Sequence, residues 1–133
     1  MNVFSKVALA SVMLVAGSNI ASADNILVVM SDKANLALKG TDVYPTGFYL
    51  NEAIQPTKMF LDAGHQVTFA TPKGMAPSLD KVSDNAMFFG GDEGALQAHK
   101  DLLKELKLTD AAKSPVISLD RVEQIGYGNF DAI

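Results

Sequence analysis

The sequence predicts an α/β domain built on a parallel sheet, and three observations carry that expectation. Asn25-Ile26-Leu27-Val28-Val29-Met30 is an unbroken apolar and β-branched run, the pattern of a strand covered on both faces. A helical stripe of Leu50, Ile54, Phe60 and Leu61 follows between Pro45 and Ala63. Beyond Gly64, Gln66-Val67-Thr68-Phe69-Ala70 reads as a second strand. Strand, helix and strand in this order form a βαβ unit, which places the two strands parallel through a right-handed crossover.

Before the first strand lies a segment with the features of an export leader. Lys6 follows a short polar start, Val7 to Ala16 form an apolar run, and Ala21-Ser22-Ala23 supplies the small-x-small pattern of a cleavage site. We therefore expect a signal peptide over 1–23 and a periplasmic or secreted product. The apolar run is about half of the ~20 residues that a bilayer requires, so no stable membrane span is expected. Cleavage would remove Lys6 and make the formal net charge of −4 one unit more negative. The basic residues are scattered singly among acids, which disfavours nucleic acid as a partner. There is no cysteine in the chain, so disulfides, thiolate nucleophiles and cysteine metal sites are excluded together.

Element by element, Asn25 to Met30 is expected to be the first, central strand. Ser31 to Tyr44 is polar and mixed, with Gly40, and is expected to be a long loop. Pro45-Thr46-Gly47 punctuates it, and Thr46 is the candidate N-cap of a helix from Gly47 to Ala63. Pro56 should kink that helix or restart it. Gly64 suits the left-handed position that closes a helix before the second strand. Thr71-Pro72-Lys73-Gly74 turns the chain away from the sheet, and Met75 to Gly91 is expected to be irregular, pinned to the core by Met87-Phe88-Phe89. A second helix is expected from Glu93 to Leu106, capped by Asp92, with Leu96, Leu102, Leu103 and Leu106 on its buried face. A short helix over Leu119 to Ile125 follows, and Phe130-Asp131-Ala132-Ile133 has the look of a strand just beginning. Two strands and such a stub would leave a parallel sheet half covered, so the 133 residues are expected to be the N-terminal half of a larger domain and to be marginal or aggregation-prone alone.

The segment 24–133 resembles the N-terminal part of the ThiJ/PfpI family, within the class I glutamine amidotransferase-like superfamily. It is most similar to the chaperone-like glyoxalase III branch. The residues that carry this are Ile26-Leu27-Val28-Val29-Met30-Ser31, Pro45-Thr46-Gly47-Phe48-Tyr49-Leu50-Asn51-Glu52, Asp62-Ala63-Gly64-His65 and Asp84-Asn85-Ala86-Met87-Phe88-Phe89. The stretch Thr-Gly-Phe-x-x-x-Glu is the specific part. The resemblance implies a flavodoxin-like three-layer α/β/α fold and cofactor-free conversion of small α-oxoaldehydes such as methylglyoxal to a hydroxy acid, D-lactate. It also brings in the protein deglycase and chaperone members, and leaves a homodimer open to the complete form. In the family a glutamate at the position of Glu52 contacts a cysteine at a sharp strand-to-helix turn, and a histidine assists. A thiol attacks only as thiolate, and a neighbouring carboxyl in a partly apolar pocket can share its proton. This chain departs decisively from that pattern: it has no cysteine, and neither His65 nor His99 falls at the family's histidine position.

Glu52 is thus the one catalytic residue carried over, and no cofactor or metal is implied. Each other candidate has a structural reading. His65 suits a turn or helix-end partner and His99, among Gln97, Lys100 and Asp101, a solvated helix face. Asp92 and Glu93 sit where a cap and a first-turn acid belong. Gly90-Gly91 lacks the spacing and the following Lys-Ser/Thr of a phosphate loop, and no serine has a Gly-x-Ser-x-Gly setting. Two other classes remain: an envelope holdase that uses uncovered apolar surface, and a fragment without a function of its own.

Overall fold

The computed structural model describes residues 22–40 and 42–133. The leader expected over 1–23 therefore falls almost wholly outside the described residues.

Strand β1 (Asn25–Val29) is the apolar run, and it pairs in parallel with β4 (Gln66–Thr71), with Ile26 opposite Val67 and Val28 opposite Phe69. β4 pairs in parallel with the short β5 (Ile117–Ser118), giving the order β1-β4-β5. The free edge of β1 is also occupied. Ala132 bridges Ile26 in parallel, the Leu27 N–H donates to Ala132 O at 2.9 Å, and the Asp131 N–H donates to Asn25 O at 2.8 Å. β1 thus has neighbours on both sides, β4 along its length and an isolated bridge to Ala132, while β4 is the middle strand of the three-stranded order.

Alternation along the strands sends side chains to two separate cores. Met30 and Phe69 join Leu50, Ile54, Leu96, Leu103 and Leu108 on one face, beneath α1 (Leu50–Asp62) and α2 (Glu93–Glu105). Leu27 and Ala70 meet Val122 of α3 (Leu119–Ile125) on the other. Among the described residues the protein is α/β, a parallel three-stranded sheet with three helices divided between its two faces. Complete burial of Leu27, Leu50 and Ile54 contributes about 1.5–3 kcal/mol each.

The expected loop from Ser31 to Tyr44 is in part a hairpin. β2 (Asn35–Ala37) and β3 (Val43–Pro45) pair antiparallel, with Leu36 opposite Tyr44. Helix α1 starts three residues later than expected, and Thr46 does not cap it. The chain stays extended through Phe48 because Phe48 pairs with Leu79: its N–H donates to Ser78 O and its carbonyl accepts from the Asp80 N–H, both at 2.9 Å. The N-cap is Tyr49, without a side-chain cap bond, and Ser83 Oγ accepts the Leu50 N–H at 2.9 Å instead. Pro56 lies inside α1, which runs on as one helix, with Glu52 O denied the bond that residue 56 would donate. The helix buries Leu50, Ile54 and Thr57, while Phe60 and Leu61 are half-buried. It closes as expected at Gly64, whose φ is 87°: the Gly64 N–H donates to Leu61 O and the His65 N–H to Phe60 O, both at 3.0 Å.

Short 3-10 turns at Lys81–Ser83 and Ala86–Phe89 interrupt the irregular stretch. Phe89 and Ala86 pack on the larger core, but Met87, expected to help pin the segment, is 68% exposed. Asp92 caps α2 as expected, its Oδ1 accepting the Ala95 N–H at 3.0 Å, and Ser118 caps α3 in the same way through Arg121.

Candidate functional site

In a parallel sheet, ligand clefts form at the carboxyl ends of strands where the chain switches direction across the sheet. Here β1 connects through α1 to β4 on one side, and the chain returns after α3 to the opposite edge of β1. A cleft of about 420 Å³ opens at the carboxyl end of β1, within the size range of small-molecule sites. Its floor is Val28 to Ser31. Lys33, the connection Thr46 to Tyr49, and Glu52 and Ala53 of α1 form its walls.

Local structure holds these walls in place. The Lys33 N–H donates to Ser31 Oγ at 3.1 Å, and Asp32 Oδ2 accepts the Lys73 N–H at 3.1 Å, so the loop leaving β1 is tied to the loop leaving β4. On the other wall, Gly47 passes so close to Ser78 that a Cβ there would lie 2.1 Å from Ser78 O and 2.7 Å from Asp80 N. Only glycine allows the Thr46 to Tyr49 strip to lie flat against residues 78–80. Those residues in turn carry Ser83, which is fully buried, donates to Asp80 O at 2.6 Å, and holds the first turn of α1. The Thr-Gly-Phe-x-x-x-Glu stretch is therefore a structural unit: a close backbone approach, a paired Phe48, and a helix start that presents Glu52.

Glu52 lines the cleft, exposed to solvent in the first turn of α1, where a carboxylate also complements the positive end of the helix dipole. It is not enclosed in an apolar pocket. The histidines lie elsewhere. His65 sits at the opposite end of the sheet, between α1 and β4, where its Nδ1 accepts the Asp24 N–H at 3.1 Å. His99, expected on a solvated face, is buried: it is 8% exposed, packs against the Phe89 ring at 4.8 Å, and places Nδ1 2.6 Å from Ala95 O. The reason is helical period, since residue 99 lies between Leu96 and Leu103 on the buried stripe of α2.

Asp92 and Glu93 are a cap and a first-turn acid of α2. Gly90 and Gly91 have φ of 66° and 84° and turn the chain into that cap. Among the described residues no group of three His, Cys, Asp or Glu side chains is placed to hold a metal ion. No helix among them is long and apolar enough to cross a membrane. Sequence reasoning did not single out Ser31, Lys33 or Thr46 as site residues. Ser31 and Thr46 fall within the stretches that carry the resemblance, and all three lie between the end of β1 and the start of α1, the segment that a parallel sheet uses for ligands.

A comparison with models of known protein families returns no match, and neither does a comparison with curated proteins.

Proposed function

We propose that this chain is the N-terminal part of a flavodoxin-like ThiJ/PfpI-type domain resembling the glyoxalase III branch, and that its cleft receives small α-oxoaldehydes such as methylglyoxal. The observation that carries this reading is the cleft itself. It stands at the carboxyl end of β1, at the switch point, with Glu52 in its wall. The overall reaction adds water and moves a proton between neighbouring carbons, so the aldehyde carbon is oxidised and the ketone carbon reduced within one molecule. No external oxidant or cofactor is required. Glu52 would serve as the acid-base group for that proton.

The family's covalent step needs a thiolate, which this chain does not contain. The 133 residues are accordingly proposed to bind such a substrate without turning it over. The product is proposed to act in the cell envelope, following the leader of 1–23. The test is methylglyoxal added to the purified protein, with D-lactate measured enzymatically. Absence of turnover is expected, together with perturbation of Met30 to Ser31 and Gly47 to Ala53 amides by hydroxyacetone, a less reactive ketone of the same size. Turnover at the rate of a cysteine-bearing glyoxalase III would refute the thiol-dependent mechanism. Hydroxyacetone shifts that bypass the cleft would refute the site.

One observation favours a second reading as an envelope holdase. The hairpin presents apolar residues to solvent, with Leu36 54%, Val43 59% and Tyr44 43% exposed. Suppression of a client's aggregation at near-stoichiometric ratio supports this reading, and mere co-precipitation disposes of it.

A further inference from the structure

Two side chains of opposite charge, Lys33 and Glu52, line the same cleft yet form no ion pair. Among the described residues the ion pairs are Lys58 with Asp62, Lys100 with Asp84, and His65 with Asp24, so the Lys33 ammonium has no carboxylate partner. The backbone of Lys33 is nevertheless well fixed. Its N–H is taken by Ser31 Oγ, and the preceding Asp32 is engaged by the Lys73 N–H. The acid beside Lys33 in sequence is thus drawn away to the β4 loop, and the lysine is left lining the cleft. The same cleft is also lined by Ser31 and Thr46 and by the apolar Val28 to Met30.

This lining combines a cation, a carboxylate and apolar surface. A cation at one place accommodates a carboxylate, and a carboxylate at another accepts a hydrogen bond from a hydroxyl. A short apolar carbon between them suits the floor. We propose that Lys33 makes this cleft a carboxylate-recognition site, selective for small 2-hydroxy acids over neutral molecules of the same shape. The inference rests on the reading of the cleft as the ligand site and deepens it. The reaction of the family that the chain resembles takes a neutral oxoaldehyde and yields a 2-hydroxy acid, so Lys33 makes this cleft hold an acid of the product's class more firmly than a neutral molecule of the substrate's class.

The test uses the full chain, labelled with nitrogen-15, and three small probes. D-lactate and propane-1,2-diol differ only in a carboxylate replaced by a hydroxymethyl group, and hydroxyacetone stands in for the neutral substrate. D-lactate is expected to shift the amides of Met30 to Lys33 and of Gly47 to Ala53, at about threefold to fivefold lower concentration than the diol, the size of effect that one solvent-accessible ion pair supplies. Lys33→Gln should remove that preference, while Lys39→Gln, an exposed lysine in the hairpin turn outside the cleft, should leave it intact. Equal affinity for D-lactate and the diol overturns the inference, as does a preference that survives Lys33→Gln. If hydroxyacetone moves the cleft amides while D-lactate ignores Lys33, the oxoaldehyde reading stands and this inference falls. If D-lactate binds through Lys33 while hydroxyacetone leaves the cleft unmoved, this inference stands and the oxoaldehyde reading falls.

Discussion

A methyl group at residue 47 would land 2.1 Å from Ser78 O, a backbone atom that cannot swing aside as a side chain can. Gly47→Ala is therefore expected to prise the Thr46 to Tyr49 strip from residues 78–80, at a cost of about 1–3 kcal/mol or more in urea unfolding, with disturbed amides along the cleft wall. Asp92→Ala should act only on α2: loss of the cap bond to Ala95 costs about 0.5–2 kcal/mol and leaves ligand shifts in the cleft unchanged. The two acids show what single residues disclose in a sequence. Asp92 was legible as a cap because capping is local, set by its own and the next three residues. The placement of Glu52 in a cleft wall was legible only through the surrounding stretch, because the cleft is assembled from two separated segments, 28–33 and 46–53. Lys33 was marked only by its place after β1, since an isolated lysine there carries no pattern that distinguishes a ligand contact from a solvated side chain.

Among the elements, α1 departs furthest from local rules. It keeps Pro56 in its interior and loses a backbone bond to Glu52 O, so Pro56→Ala should raise the melting temperature, with a gain of up to about 3 kcal/mol. An unchanged or lower melting temperature would mean that the proline's fixed φ in the unfolded chain outweighs the missing bond. Strands β1 and β4 were readable from their apolar and β-branched runs, and α2 from its leucine stripe with Asp92 beside it in sequence as a cap. The late start of α1 was not readable: what keeps Phe48 extended is Leu79, far along the chain. The hairpin was hidden for another reason. Its strands are three residues each, too short for alternation to show, and both lie exposed. His99 did carry a signal, its spacing from Leu96 and Leu103, but its polar neighbours in sequence masked it.

For the whole molecule, β1 and β4 are shared by both cores, with Leu27 and Ala70 packed against Val122 of α3, and Val28 and Phe69 in the core beneath α1 and α2. Leu27→Ala should cost about 2–5 kcal/mol, and hydrogen exchange should show α1 losing protection along with α3. Loss confined to α3 would mean that the two faces open independently. The α/β class and the parallel order were expected from the strand and helix periods. The occupant of the second edge of β1 was foreseen only as a strand beginning, since pairing across most of the chain leaves no local mark. That edge has a consequence for biosynthesis. Asp131 Oδ2 accepts the Asn25 N–H at 2.8 Å across 106 residues of sequence, so this flank of β1 stays unpaired until residue 131 has been synthesised. Until then that flank is open to other strands, and a factor that binds extended nascent peptides would find its target there.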